Sequence, residues 1–291
     1  MTASGTSGHG VELDRYVRLS TLGAIVVKSL AAFAWPGNPP PRLHAAGLSM
    51  VNSVGLQGPG VSAWLRDDLP ALERAGARVV ASIWGRTIEE FNEAAALLAI
   101  APRDVVVAVE LNLSCPNLGG HRLFAQSAVD TAAVVAATAV AGRPRWAKLT
   151  AVTDDLASVA GAAIEAGAEA VTLVNTLPAM VIDLDARQPA LGAGGGGLSG
   201  PAVHPIAVRA VYDVRAAFPD AAIVGVGGVT TGADAIELIQ AGADAVQVGT
   251  ASFADPQAPG RVLAELADWC RSHGVARVAD LRGAAQGRTR P

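Results

Sequence analysis

One local pattern recurs along this chain and limits its fold more than any other feature: a helical stretch, then Gly-Ala, then a short run of β-branched residues. It occurs at Leu22-Gly23-Ala24-Ile25-Val26-Val27-Lys28, at Ala75-Gly76-Ala77-Arg78-Val79-Val80, at Ala166-Gly167-Ala168-Glu169-Ala170-Val171 and at Ala241-Gly242-Ala243-Asp244-Ala245-Val246. A glycine just past a helix can take the left-handed conformation that ends it. A short Val/Ile-rich run buried on both faces reads as a parallel strand. A chain built from such units must lay its helices over the faces of a parallel sheet.

Runs without that entry complete the series, giving eight candidate strands at 1–3, 24–28, 78–83, 105–112, 145–149, 170–175, 222–226 and 245–249. Helices are expected between them at 60–75, 88–100, 128–141, 154–166, 201–218, 232–241 and 258–273. An open doubly wound sheet is the alternative, but functional-looking residues at nearly every strand end favour a closed (β/α)8 TIM barrel with long βα loops over its active face. Such barrels occupy a chain of 291 residues as one domain, and 51% hydrophobic against 16% charged residues supplies the core for it. Two long non-helical stretches interrupt the alternation, 29–59 and 176–200, the second ending in Gly192-Ala-Gly-Gly-Gly-Gly-Leu-Ser-Gly200. Stretches of that length read as lids or binding loops.

The formal charge of −4 includes no Lys/Arg run, which argues against nucleic acid. The first ten residues lack the regions of a signal peptide, and no apolar run reaches membrane-spanning length, so the expected location is the cytoplasm. Two cysteines, Cys115 and Cys270, without CxxC spacing support neither a disulfide framework nor an iron–sulfur or zinc site. Redox chemistry on this chain would use an organic cofactor.

The strand ending at Leu111 delivers Asn112-Leu113-Ser114-Cys115-Pro116-Asn117 to the barrel mouth, where barrel enzymes do their chemistry. A lone cysteine in isolation reads as a buried structural thiol. The flanking asparagines and the rigid proline favour a functional one, because amides offer donor and acceptor together to a pyrimidine or flavin edge. Lys148 closes Arg145-Trp-Ala-Lys-Leu149 and Lys28 closes Ile25-Val-Val-Lys28. A lysine there either snorkels to solvent or meets an anion. Two converging on one mouth point to an anionic ligand. Near the end of the chain Gly225-Val226-Gly227-Gly228-Val229 and Gln247-Val248-Gly249-Thr250-Ala251 bring glycine-bared N–H groups toward helix starts, as barrels do to bind phosphate after their last two strands.

These residues resemble the class 1 dihydroorotate dehydrogenases over nearly the whole chain. The matching segments are Ala3-Ser4-Gly5-Thr6, Val27-Lys28-Ser29, Asn52-Ser-Val-Gly-Leu56, Glu110-Leu-Asn-Leu-Ser-Cys-Pro-Asn117, Lys148-Leu-Thr150, Val174-Asn-Thr-Leu177, Gly196-Gly-Leu-Ser-Gly-Pro201, Gly225-Val-Gly-Gly228 and Val248-Gly-Thr250. Met180-Val-Ile-Asp-Leu-Asp185 followed by Gly-Gly-Leu-Ser-Gly-Pro looks more like the NAD-linked two-subunit branch, class 1B, than the fumarate-linked homodimers of class 1A. The resemblance implies oxidation of dihydroorotate to orotate in pyrimidine synthesis. It implies FMN held by Ser4, Lys28, Ser29, Asn112, Lys148, Val174, Gly200, Gly227, Gly228, Gly249 and Thr250. It implies substrate contacts from Lys28, Asn52, Ser53, Val54, Gly55, Leu56, Asn112, Asn117, Asn175 and Thr176, with Cys115 as the base. It further implies a homodimeric core and a partner subunit carrying FAD and an iron–sulfur cluster. The dihydropyrimidine dehydrogenases, which share a Ser-Cys-Pro loop, are the rival; Asn117 and the 52–56 segment favour orotate. A non-catalytic flavin- or phosphate-binding barrel is the rival of another class.

Three departures from the family stand out. Family members carry a further segment before the Ala-Ser-Gly motif, so a short first strand and a less complete barrel floor are expected, with the start of the chain itself in question. Ser82 stands where the family has an asparagine contact to the flavin, and the Pro-Asn customary after Lys-Leu-Thr is contracted to Ala151. Both bear on local flavin contacts and not on the reaction class.

Overall fold

The computed structural model describes residues 1–114 and 123–287. Its strands are β1 (Ile25–Val26), β2 (Leu43–Ala46), β3 (Ser49–Asn52), β4 (Val79–Ile83), β5 (Val106–Asn112), β6 (Arg145–Lys148), β7 (Ala170–Leu173), β8 (Leu177–Ala179), β9 (Ile182–Asp183), β10 (Gln188–Pro189), β11 (Gly196–Ser199), β12 (Ile223–Val226) and β13 (Ala245–Gln247). The helices are α1 (Val61–Asp67), α2 (Leu69–Arg74), α3 (Ile88–Leu98), α4 (Ala128–Ala137), α5 (Leu156–Glu165), α6 (His204–Ala217), α7 (Gly232–Ala241), α8 (Ala251–Ala254) and α9 (Ala258–Ser272).

Seven strands lie side by side in the order β1-β4-β5-β6-β7-β12-β13, each pairing parallel. Residues 1–3 join the two ends. Thr2 bridges Val248 in parallel, the Ala3 N–H donates to the Val248 carbonyl at 2.8 Å, and the Val248 N–H donates to the Met1 carbonyl at 2.8 Å. On the other side the Thr2 N–H reaches the Ala24 carbonyl at 3.3 Å, and the Thr2 hydroxyl accepts from the Val26 N–H at 3.0 Å. The eighth stave is therefore the short segment the sequence suggested, and the parallel sheet is closed into an α/β barrel.

The Gly-Ala repeat acts as expected at three of its four copies. Gly76, Gly167 and Gly242 have φ of 66°, 95° and 138°. In each case the next residue sends its N–H back five positions, Ala77 to Leu72, Ala168 to Ala163 and Ala243 to Leu238. That bond closes a helix end and aims the chain into the following strand. Gly23 departs from this, because a single 3-10 turn at Leu19–Thr21 precedes it in place of a helix. The strands delivered are apolar on both faces: Val79, Val80, Ala81 and Ile83 of β4 are wholly buried, each large side chain contributing about 1.5–3 kcal/mol. The helix expected over 60–75 is two helices, α1 and α2, because Pro70 in the first turn of α2 cannot donate the N–H that would continue α1.

The two long stretches expected to be loops contain strands instead. β2 and β3 from the first and β8 and β11 from the second make a four-stranded antiparallel sheet in the order β2-β3-β11-β8. A Cβ on Gly196 would collide with the Asn52 backbone carbonyl, and one on Gly197 with the Thr176 hydroxyl. The glycine run is required by this close approach. Among the described residues no helix is long and apolar enough to cross a membrane.

Candidate active site

A cavity of about 370 Å³ opens at the C-terminal ends of the parallel strands, roofed by the antiparallel sheet. Strand ends converge on it from all around the barrel. Ser4 comes from the closing segment, Lys28 and Ser29 follow β1, Asn112 ends β5, Lys148 ends β6, and Val174, Asn175 and Thr176 follow β7. Gly200 follows β11, Gly227 and Gly228 follow β12, and Gly249 and Thr250 follow β13. All eleven residues expected at the cofactor line this one cavity, and of those expected at the substrate so do Asn52, Val54, Gly55 and Leu56. Ser53 does not. Its hydroxyl accepts from Asn38 Nδ2 at 2.8 Å and its N–H donates to the Arg42 carbonyl, which turns it into the roof. Cys115 and Asn117 lie outside the described residues.

A chain of amides and hydroxyls crosses the cavity floor. Asn112 Nδ2 donates to Ser29 Oγ at 3.1 Å, and Ser29 Oγ meets Ser82 Oγ at 2.9 Å. Asn175 Nδ2 donates to Asn112 Oδ1 at 3.1 Å and to Ser114 Oγ at 3.0 Å, and Ser114 Oγ donates to the Lys148 carbonyl at 3.0 Å. Ser82 therefore reaches the cavity only through Ser29 and does not line it, and Ala151 is likewise off its wall. Because each amide is bonded to neighbours through both its oxygen and its nitrogen, the orientation it presents to a ligand is fixed before the ligand arrives.

The two lysines flank one short segment. Lys148 Nζ donates to Ser4 Oγ at 3.2 Å, and a Cβ on the next residue, Gly5, would lie 3.2 Å from Lys28 Cδ. Both line the cavity. Lys148 is only 4% exposed, and its ammonium faces Glu110 Oε1 at 3.4 Å. Glu110 is wholly buried and also accepts from Thr172 Oγ1 at 3.2 Å and Gln247 Nε2 at 2.9 Å. Glu110, Thr172 and Gln247 are not among the site residues expected from the sequence. The signal was present: one carboxylate in the apolar run Val105-Val-Val-Ala-Val-Glu110 needs a buried partner.

The glycine-rich rim fits a phosphate. Gly200, Gly227 and Gly228 have φ of 98°, 139° and 67°, and a Cβ on Gly228 would come within 2.6 Å of His204 Cβ. The N–H groups of Gly228, Gly249 and Thr250 donate to no acceptor among the described residues. The N–H groups at the start of α7 already have partners, however. Asp234 Oδ2 already accepts from the Thr230 and Thr231 N–H groups at 2.8 Å each, and Thr231 Oγ1 accepts from the Asp234 N–H. The glycine turn lies ahead of that helix and is shaped by His204, whose Nδ1 meets the Gly227 carbonyl at 2.9 Å. His9 also lines the cavity unforeseen, its pKa lowered by burial and by the Lys28 charge against an opposing pull from Glu12.

Comparison with known proteins agrees with this geometry. The family model described as Dihydroorotate dehydrogenase matches residues 1–269. A protein from Desulforudis audaxviator named "Dihydroorotate dehydrogenase B (NAD(+)), catalytic subunit" is 45% identical over 287 residues, 98% of this chain and 92% of its own. One of the same name from Geobacter sulfurreducens is 42% identical over 288 residues, 98% of this chain and 93% of its own. A protein from Solibacter usitatus, provisionally named a dihydroorotate dehydrogenase A (fumarate), is 43% identical over 285 residues, 97% of this chain and 93% of its own. Matches of that extent, on a chain whose cavity gathers two lysines, an amide floor and a glycine cradle, place it in the dihydroorotate dehydrogenase family.

Proposed function

We propose that this chain is the catalytic subunit of an NAD-linked dihydroorotate dehydrogenase, oxidising dihydroorotate to orotate with FMN in de novo pyrimidine synthesis in the cytoplasm. The observation that carries the reading is the convergence of Lys28, Lys148, Asn112 and Asn175 with the Gly200, Gly227, Gly228, Gly249 and Thr250 cradle on one cavity of about 370 Å³, within the range of small-molecule sites.

The residues fit FMN. Exposed N–H groups and positive-φ glycines suit its phosphate, and Ser4, Lys28, Ser29, Asn112, Lys148 and Val174 supply a polar and cationic bed for its ring. When bound, FMN supplies the two-electron acceptor that no side chain provides. Lys28, Asn52, Val54, Gly55, Leu56, Asn112, Asn175 and Thr176 form the remaining wall, which holds the substrate carboxylate and ring amides. Lys28 carries positive charge to that carboxylate. The amide floor sets the substrate's orientation, since Asn175 and Asn112 are locked to each other and to Ser114.

Cys115 follows Ser114 directly and takes the proton from the substrate ring. A thiol is basic only as thiolate, with an ordinary pKa of about 8.5, so turnover rises with pH through the alkaline range unless the site lowers that value. The chain has two cysteines, so an iron–sulfur relay to NAD belongs to a second subunit carrying FAD and the cluster, around a homodimer of this chain. The "catalytic subunit" names of the relatives support that division of labour.

The test is anaerobic mixing of the flavin-loaded chain with dihydroorotate while following flavin absorbance, with dihydrouracil as control. Bleaching by dihydroorotate and not by dihydrouracil is expected; the reverse, or no bleaching, overturns the reading. Cys115→Ala should retain yellow flavin and slow bleaching by about 10²–10⁴-fold. Near-native bleaching in that variant would remove Cys115 from the base role.

A further inference from the structure

We propose that Glu110 is a positioning residue: its buried carboxylate anchors the Lys148 ammonium at the cavity floor, and the catalytic machinery depends on Glu110 through Lys148. The inference rests on the flavin-site reading above and deepens it.

The strand register explains the pairing. Asn112 of β5 lies opposite Lys148 of β6, and Glu110 is two residues earlier on β5, so Asn112 and Glu110 share the inward face. Asn112 reaches the cavity wall, whereas Glu110 sits one layer below with no exposure. Lys148 has its stem on the neighbouring strand and an ammonium that touches both layers, 3.2 Å from Ser4 Oγ at the cavity and 3.4 Å from Glu110 Oε1 beneath it.

The carboxylate is itself held from two further strands. Thr172 lies opposite Lys148 on β7 and donates to Glu110 Oε2 at 3.2 Å, and Gln247 of β13 donates to the same oxygen at 2.9 Å from across the barrel. Gln247 Oε1 has no partner among the described residues, so its amide is committed to the carboxylate by its donor end. Isolated charges are expensive in such an interior. Four polar residues, each 4% exposed or less, form a layer of which only Lys148 lines the cavity. Without the carboxylate, the Ser4 hydroxyl alone would hold the end of a lysine with four rotatable bonds.

Removing either partner leaves the other charged and buried, and removing both relieves it. Four forms of the full flavin-free chain are compared by thermal unfolding: the parent, Glu110→Gln, Lys148→Met and the double variant. Each single should lower the midpoint by on the order of 5–10 °C, and the double should regain most of the loss. Losses that simply add overturn the proposal.

FMN titration by fluorescence quenching is the second readout. Glu110→Gln should weaken FMN binding about tenfold or more in the parent and have no further effect in Lys148→Met. An effect undiminished in Lys148→Met would show that Glu110 acts on the fold and not through the lysine, and overturns the proposal.

Should Glu110→Gln not fold while the double variant does, the coupling is demonstrated directly. Should neither fold, Thr172→Val takes their place, since it removes one hydrogen bond to the carboxylate and keeps the ion pair. It should weaken FMN binding only where Lys148 is present, and an equal effect in Lys148→Met overturns the proposal. The unfolding comparison needs no flavin, so a parent chain that dihydroorotate fails to bleach would sink the functional reading and leave the Glu110–Lys148 result standing on its own.

Discussion

The barrel and its roof obey opposite rules. In the parallel barrel the staves bury both faces, and the buried charges have partners: Glu110 has Lys148, Arg215 has Asp244 and the Gly242 carbonyl, and Arg143 donates to the Leu98, Ala101 and Val106 carbonyls. The roof sheet of β2, β3, β8 and β11, with the adjoining β9–β10 hairpin, leaves apolar side chains outside, with Leu48 91% and Leu184 83% exposed. Its strands are two to four residues long, and it packs closely at its glycines, where a Cβ on Gly196 would meet the Asn52 carbonyl and one on Gly197 the Thr176 hydroxyl. Stability therefore belongs to the barrel. The roof supplies shape, closing the cavity with Asn52, Val54, Gly55 and Leu56.

The strongest way to break that contrast is at the rim where the two regions meet. Gly228 has φ of 67° and His204 Cβ only 2.6 Å from where its own Cβ would be, so Gly228→Val is opposed by both conformation and space. It should abolish FMN retention and cost several kcal/mol, read as flavin-to-protein ratio and thermal midpoint. A variant that stays yellow would show the turn to be pliant and would remove the cradle from the account. Next in size is the barrel's own core: Leu111→Ala, at a wholly buried position of β5, should cost about 2–5 kcal/mol in denaturant unfolding. Leu48→Ser in the roof is its counterpart and should stay within about 0.5 kcal/mol. Equal losses from the two would erase the distinction between a stabilising barrel and a shaping roof.

What the sequence made legible follows the same division. The barrel's strands came from a local signal, Gly-Ala followed by β-branched residues, which works because helix termination and strand burial are both decided within a few residues of each other. Lys28, Asn112, Lys148 and the paired glycines were legible because each stands at a strand end, where chain direction alone sets the mouth. The roof's strands carry no such local signal, and the sequence points only to loops there. Its register sets Gly197 against Asn52, 145 residues away, and against Pro178 on the other side, and its strands are only three or four residues long, too short for a periodicity to stand out from the sequence. Ser53 resembles the family together with Asn52 and Val54, but just past β3 its hydroxyl accepts from Asn38 and its N–H donates to the Arg42 carbonyl, contacts that form only when the roof folds. Glu110 was overlooked for a different reason. Its partners Lys148, Thr172 and Gln247 come from three other strands and meet only once the barrel closes.

The smallest expected effect tests whether the rim's electrostatics reach into stability. His9 has its pKa lowered from the usual histidine value, first by burial and then by Lys28, with Glu12 pulling the other way. Its Nε2 is buried without a hydrogen-bond partner among the described residues, so the folded chain resists protonating it. The unfolded chain takes up that proton at about pH 6.5, before the folded one does, so proton uptake favours unfolding as pH falls below that value. Stability from this group is thus complete above about pH 6.5 and declines on the acid side until the folded chain is protonated too. His9→Phe removes the titration without breaking a bond, since Trp64 Nε1 donates to the backbone carbonyl of His9 and not to its ring. Between about pH 7.5 and about pH 5.5 the thermal midpoint should fall less in this variant than in the parent. Identical falls in both would mean that the ring is hydrated and charged like any surface histidine, and that the Lys28 side of the cavity is wetter than its walls suggest.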